Sequence, residues 1–302
     1  MTVEVLEALQ PRPGGRYVDG TIGLAGHASA ILGASSPTGW LLGCDRDGAA
    51  IEAAAQRLAE FPGRYELRRG NYADLGAWLE PASIDGVLLD LGVSSPQLDR
   101  AERGFSFQSD GPLDMRLDDR QPTTAAHLVN GLSEAGLATI FRELGEEPGA
   151  RRVARAIAHE RRARPFDSTG QLARLIERLL PRQGKRTHPA TRVFQALRMA
   201  VNDEIPSLRR GLAAACLVLR SGGRLAVITF HSGEDRVVKE FGREQTRDYT
   251  VVGEVDVPEW RQPCAPRMRW VQRKAVQPGP AEVAANPRAR SAQLRVLEKT
   301  EH

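Results

Sequence analysis

Two aspartates each close an apolar run, and each could carry chemistry. Leu88-Leu89-Asp90 runs out into Leu91-Gly92-Val93-Ser94-Ser95-Pro96-Gln97-Leu98-Asp99, and Trp40-Leu41-Leu42-Gly43-Cys44 ends at Asp45. Apolar, β-prone residues followed by Gly, Ser and Pro describe a buried strand that stops at its acid. In open α/β sheets ligands bind at the carboxyl ends of strands, so such an acid is a ligand candidate. Read alone, Asp90 is equally a loop cap that bonds to nearby backbone. Upstream, Arg16-Tyr17-Val18-Asp19 precedes glycines at 20, 23 and 26 and a short helix-like run, Ala28–Leu32. Strand, glycine loop and helix together cradle nucleotides, because glycine admits close backbone approach and a helix N-terminus is electropositive. The spacing is not the G-x-G-x-x-G of dinucleotide enzymes, which argues against a dehydrogenase. Asp45 lies about twenty residues past the loop, where an acid accepts hydrogen bonds from ribose hydroxyls. Tyr72, just after a third strand, is either a purine-stacking ring or a half-buried aromatic at a strand end.

These residues need a sheet to position them. Strands are expected over Arg16–Asp19, Trp40–Asp45, Arg64–Arg69, Ile84–Asp90 and Arg224–Phe230, alternating with helices such as Gly48–Glu60 and Leu208–Leu219. That alternation implies a parallel sheet with right-handed crossovers. Trp270–Val276 and Gln293–Leu297 complete it as an antiparallel pair, and Ser221-Gly222-Gly223 reads as a turn. From Asp99 to Pro122 the chain is polar and turn-rich, a length that in a compact domain marks function or disorder. Helices follow: a run capped by Ser133 and closed by Gly145, Ala150–Arg162, and Gln171–Leu180 capped by Ser168 or Thr169 and closed by Pro181. Thr191–Val201 carries Val193, Phe194, Leu197 and Met199 and is assigned to packing. The expected organisation is an α/β sheet, residues 1–104 and 201–302, interrupted by an all-helical insertion at 105–200.

A chain of 302 residues, 41% hydrophobic and 26% charged, is ordinary for a water-soluble protein with a sizeable core. Three scattered cysteines (Cys44, Cys216, Cys264) point to neither a disulfide framework nor a metal site and fit a reducing compartment. No basic apolar leader and no membrane-spanning run is present, so a cytoplasmic protein is expected. Net charge is +4, but Arg151–Arg192 holds twelve Lys/Arg against Glu160, Asp167 and Glu177. A block this concentrated is either a solvated helical face or the footprint of a polyanion.

Taken in order, further motifs are Arg103-Gly104-Phe105-Ser106-Phe107, Asp110-Gly111-Pro112-Leu113-Asp114-Met115-Arg116, His188-Pro189-Ala190-Thr191-Arg192, Phe230-His231-Ser232 and Asn286-Pro287-Arg288-Ala289-Arg290-Ser291. With Asp19-Gly20-Thr21-x-Gly23-x-x-Gly26-His27 and the Leu89–Gln97 run, this set resembles the bacterial 16S ribosomal RNA cytidine N4-methyltransferases, the RsmH or MraW family. The resemblance spans nearly the whole chain. It implies a Rossmann-like class I methyltransferase sheet with an inserted helical RNA-recognition domain. It also implies S-adenosyl-L-methionine as cofactor, and as partner the 16S rRNA of the small ribosomal subunit, methylated on a cytidine of the decoding region.

By position, the resemblance makes Gly23, Ala25, Gly26 and His27 the loop on the methionine side. It makes Asp45 the ribose ligand, Tyr72 the adenine neighbour, and Asp90 and Gln97 further cofactor contacts. Ser94, Ser95 and Pro96 would shape the transfer point. Asp90, Asp114 and His231 are the catalytic candidates, with Asp114 or His231 accepting the N–H or the proton. Arg116, His188, Arg192 and Asn202 would meet the RNA, with Arg198 beside them and Arg267, Arg269, Arg288 and Arg290 as an alternative face. Against these stand plainer roles: Asp114 anchoring its loop through Arg116, His231 as a satisfied strand-end histidine, His188 starting a helix, Asn202 bonding backbone. Two residues depart from the family pattern: Ala25 replaces a usual glycine, and Gly233 a common leucine. A protein or small-molecule substrate, or an RNA-binding factor without activity, are the competing readings. The basic block argues against a small molecule, and the intact acids against lost activity.

Overall fold

The alternation of apolar strands and amphipathic helices builds one sheet and one helical cluster in a computed structural model that describes residues 1–180, 188–253 and 255–301. The chain divides into two compact units, Met1–Gly92 with Ile205–His302, and Val93–Glu204. The second unit thus takes in the Val93–Gly104 stretch, upstream of residue 105.

In chain order the elements are α1 (Thr2–Leu9), β1 (Arg16–Asp19), α2 (Gly26–Ala34), β2 (Trp40–Asp45), α3 (Gly48–Leu58), β3 (Tyr65–Arg69), α4 (Leu75–Trp78) and β4 (Ile84–Asp90). The second unit carries α5 (Ser95–Asp99), α6 (Ala125–Gly131), α7 (Glu134–Glu143), α8 (Ala150–Glu160), α9 (Thr169–Leu179) and α10 (Thr191–Val201). The chain then continues with α11 (Glu204–Val218), β5 (Leu219–Thr229), α12 (Ser232–Gln245), β6 (Tyr249–Val251), β7 (Arg261–Pro263), β8 (Met268–Trp270), α13 (Pro280–Ala285) and β9 (Gln293–Lys299).

The first unit's main sheet has the order β3-β2-β1-β4-β5-β9-β8. The first five strands are parallel, and β9 pairs antiparallel with β5 and β8. Strand order reverses at β1, which lies between β2 and β4, the switch point where such sheets place ligands. Both faces are covered, so strand interiors are apolar without alternation. Ile31, Leu32 and Leu58 pack with Leu41 and Leu88 on one face. Leu75, Leu208, Leu212 and Val238 pack with Leu42, Val87 and Leu89 on the other. No helix among the described residues is long and apolar enough to cross a membrane.

Three expectations shift. Ser221-Gly222-Gly223 lies inside β5, which starts at Leu219, although Gly222 keeps a turn-like φ of 76°. The last antiparallel pair starts at Met268, and Val276 keeps only a single bridge to Leu294. The polar Asp99–Pro122 stretch is ordered by backbone bonds such as Leu113 N to Asp167 O (2.9 Å) and Met115 N to Arg103 O (3.0 Å).

Glu298, buried on β9, ties three strands together. It accepts from Arg224 on β5 (3.0 Å) and from Arg269 on β8 (3.0 Å). Burial pushes its carboxyl up, but the Arg269 and Arg224 guanidinium groups hold it below the usual range. Glu298→Ala is expected to lower unfolding free energy by about 2 kcal/mol in urea titrations, since two cations lose their counter-charge and Arg269 stays largely hydrated. An unchanged midpoint would show the network to be inert.

The second unit is an all-helical cluster whose core joins Leu137, Phe141, Val153, Ile157, Leu172 and Leu197. Helices α8 and α9 turn their apolar faces inward and leave arginines outward, as their i, i+3, i+4 spacing requires. Of the basic block, Arg182, Lys185 and Arg186, like Pro181, lie outside the described residues.

Candidate active site

Three parallel strands of the first unit end in acids: Asp19 on β1, Asp45 on β2, Asp90 on β4. The segment between β1 and α2 crosses all three ends. Gly20 N donates to Leu88 O (2.9 Å) and Ile22 N to Cys44 O (3.0 Å). Thr21 N donates to Asp19 Oδ1 (3.2 Å), and Thr21 Oγ1 accepts from Asp90 N (2.7 Å). Gly23 N donates to Asp45 Oδ2 (3.1 Å), whose other oxygen accepts from Asp47 N (3.0 Å). A Cβ at Gly20 would come within 2.5 Å of Leu89 Cδ2, so the close crossing needs glycine. The loop ends at Ala25, buried and left-handed at φ 58°, the N-cap of α2.

His27, in the first turn of α2, places Nε2 3.5 Å from Asp90 Oδ2. His27 Nδ1 and Asp90 Oδ1 are buried and have no hydrogen-bond partner among the described residues. A buried polar atom left unpaired costs about 1–3 kcal/mol, so two together mark a place built for a ligand. The electrostatics agree. Burial pushes the Asp19 carboxyl up to about 7, moderated by His27 and the Thr21 N–H. Burial alone would lower His27, but Asp90 and then Asp19 raise it. Burial raises Asp45 against the N–H groups of Asp47 and Gly23. Cys44 is fully buried and its thiol is pushed well up by burial, which removes it as a nucleophile.

Asp19 was not among the sequence candidates, although it closes its strand as Asp45 and Asp90 do. Its folded value lies above the ordinary 3.8, so its contribution to stability is whole below 3.8 and is lost as pH rises through about 7. Asp19→Asn removes that charge. The variant is expected to exceed the wild type in stability by roughly 2 kcal/mol at pH 8, with the gap closing toward pH 4. Paired urea titrations at the two pH values check this, and equal stability at pH 8 would refute it.

Tyr72 begins the turn that follows β3. It is half-buried among the residues packed on the sheet, and a Cβ at Gly211 of α11 would fall 2.3 Å from its ring. His231 is the N-cap of α12, accepting from Glu234 N (3.4 Å) at Nδ1. Its Nε2 lies 3.2 Å from Glu234 Oε1 but makes no hydrogen bond.

In the second unit, several candidates have bonds that hold local structure. Gln97 is buried and its Oε1 accepts from Ser94 N (2.9 Å), a capping box that starts α5 with Ser95 exposed and Pro96 in the first turn. Asp114 is tied to its own loop. Both its oxygens meet the Arg116 guanidinium at 2.8 Å. Its carboxyl, raised by burial, is brought below the usual range by Arg116, the wrong direction for a base. Arg116 in turn donates to the Asp119 and Gln121 carbonyls (3.0 and 2.8 Å) and has no fork left for RNA. Asn202 is fully buried and bonds backbone at Leu117, Met115 and Arg198 (2.7–2.8 Å). His188 stacks on Phe107 (4.5 Å) and places both nitrogens, on Glu177 (2.6 Å) and on Ala190 N (3.1 Å). Arg198 pairs with Glu204 (2.8 Å). Arg192 is exposed and donates to Glu146 O (3.0 Å).

A family model described as the MraW methylase family matches residues 1–300. The chain belongs to that family. It is 53% identical over 304 residues to a Geobacter sulfurreducens protein named Ribosomal RNA small subunit methyltransferase H, covering 99% of this chain and 97% of the relative. It is 51% identical over 304 residues to the protein of the same name from Syntrophotalea carbinolica, covering 99% and 96%. Among solved structures, an rRNA methylase from Streptococcus thermophilus aligns with a TM-score of 0.41 at 12% identity, covering 99% of this chain and 94% of that one.

As a methylase of this family the chain uses S-adenosyl-L-methionine as its methyl donor. The first unit's residues fit that group. Three strand-end acids suit a cationic, hydroxyl-bearing ligand, and the orphaned His27 Nδ1 and Asp90 Oδ1 need a polar partner. Both departures from the family pattern have a geometry. Ala25 holds the left-handed turn that glycine would adopt freely, at a cost of about 1 kcal/mol. At Gly233 a Cβ would stand 3.2 Å from His231 Nδ1, so glycine leaves the capping ring its room, and α12 forms regardless.

Proposed function

We propose that this chain transfers the methyl group of S-adenosyl-L-methionine to the exocyclic N4 amine of a cytidine in the decoding region of 16S rRNA, with the small ribosomal subunit as partner and the cytoplasm as its place of work. The observation that carries the substrate is the shared name of relatives about half identical over almost their whole length.

The donor supplies a methyl already activated on sulfur, so the protein's task is alignment and exclusion of water. The Gly23–His27 loop holds the methionine side, and Asp45 the ribose hydroxyls. Cytosine N4 is a weak nucleophile because its lone pair is delocalised into the ring. Asp90 accepts one N–H of that amine, returns electron density to nitrogen, and receives the proton the methylated amine sheds. His27 beside it holds the carboxylate in place. The target base must leave its stack, which costs a few kcal/mol, less in an unpaired segment.

Affinity for RNA comes from the arginines of the second unit. The side chains of Arg151, Arg162, Arg164 and Arg174 are exposed and make no hydrogen bond or ion pair among the described residues. Others of the block are tied down: Arg161 donates to Val129 O (2.6 Å), and Arg178 pairs with Glu160 (2.7 Å). The test is to incubate purified protein and labelled donor with naked 16S rRNA or with assembled small subunits, then map the product. A single N4-methylcytidine is expected. Label on another base, or on a ribosomal protein, would overturn the assignment.

A further inference from the structure

Two of the motifs, His231-Ser232 and Arg288-Ala289-Arg290-Ser291, converge within the first unit although about 55 residues separate them. They line one cavity of about 480 Å³ just past the end of β5. Ser232, Arg236 and Lys239 come from successive turns of α12, Arg290 and Ser291 from the short helical turn Pro287–Ser291. Gln277 stands between them in sequence and completes the wall.

The cavity's charge is decided by one acid and three cations. Asp235 lies 2.6 Å from Arg295 and 3.2 Å from Lys239, so the acid is neutralised from outside and inside the cavity. Arg290 is exposed and makes no hydrogen bond or ion pair among the described residues, while its neighbour Ala289 is buried and fixes the turn. The cavity is therefore positive and edged with hydroxyl and amide groups. It also abuts the first turn of α12, whose N-terminus favours anions.

We infer that this cavity binds a phosphate group of the RNA chain, with Arg290 as its principal cation, Arg236 and Lys239 beside it, and the Ser291 hydroxyl as a donor. An arginine fork matches phosphate oxygens in pairs, which a lysine cannot do. This rests on the rRNA reading above. Free inorganic phosphate offers the same chemistry and is the alternative source.

The test compares wild type, Arg290→Ala, Arg290→Lys and Arg236→Ala, all as full chains. The probes are a 16S rRNA fragment containing the target cytidine, titrated over a range of salt, and inorganic phosphate alone. Cofactor affinity by calorimetry reports that each variant is folded. Arg290→Ala is expected to weaken the fragment about fivefold near 0.1 M salt and to reduce the slope of log K against log salt by about 0.7, while Arg290→Lys keeps the slope. Wild-type slopes in both Arg290→Ala and Arg236→Ala would overturn the site and leave the rRNA reading untouched. Phosphate binding that depends on Arg290, with an unaltered RNA slope, would overturn the RNA source. A wild type that binds inorganic phosphate through Arg290 but does not bind rRNA would instead overturn the rRNA reading.

Discussion

Asp90→Ala is expected to slow methyl transfer to the rRNA cytidine by roughly 10³-fold at saturating donor and RNA. Three observations set that size. Asp90 ends β4 at the reversal of strand order, one of its oxygens lies 3.5 Å from His27, and the other is buried with no partner among the described residues. Removing it takes away the acceptor for the amine and leaves His27 without its counter-charge. The comparison that isolates the effect is Asp114→Ala. That carboxylate is closed by Arg116 on both oxygens, so its loss should change the rate less than about threefold once folding is accounted for. Single-turnover rates with labelled donor measure both. A rate for Asp90→Ala within tenfold of wild type, or a collapse in Asp114→Ala alone, would reverse the assignment. His231→Ala adds a third arm, since its Nε2 is buried without a hydrogen-bond partner among the described residues.

The combined Arg162→Ala, Arg164→Ala, Arg174→Ala variant is expected to weaken rRNA binding about 10²-fold near 0.1 M salt and to flatten its salt dependence by about two to three counterions. These three side chains are exposed on or beside α8 and α9, with no hydrogen bond or ion pair among the described residues. Their removal should therefore not weaken the helical core. Arg161→Ala is the contrast. Arg161 donates to the Val129 carbonyl, so its loss should lower stability and leave the slope nearly as it was. Filter binding from low to moderate salt separates the two. A wild-type slope in the triple variant would move the RNA footprint away from this block.

The strand ends were legible because a buried parallel strand writes a continuous apolar run, and the turn residues after Asp45 and Asp90 mark its stop. The glycine loop was legible for the same reason, since Gly20 has no room for a Cβ. What was illegible is which partner a polar side chain finds. Asn202 and His188 look like readers of RNA in sequence, but their partners come from residues up to 87 positions away. Arg269 gave no sign in sequence of its bond to Glu298, which the β8–β9 register brings about. Asp114 and Arg116, two residues apart, were readable as a pair, and the plainer reading of them is the one observed. Asp19 shows the converse: its charge matters through Asp90, Asp45 and His27, neighbours assembled only when three strands align.

The strand that carries Asp90 also waits long for its second partner as the chain is made. β4 pairs with β1 on one side and with β5 on the other, but β5 begins at Leu219, about 130 residues after β4 ends. At about 5–20 residues per second on the ribosome, the β4 edge waits roughly 6–25 s for its partner, while the whole Val93–Glu204 unit emerges and can fold. Synthesis of the protein therefore passes through a state with an open, apolar strand edge, and chaperone dependence should concentrate in nascent chains stalled between residues 93 and 219.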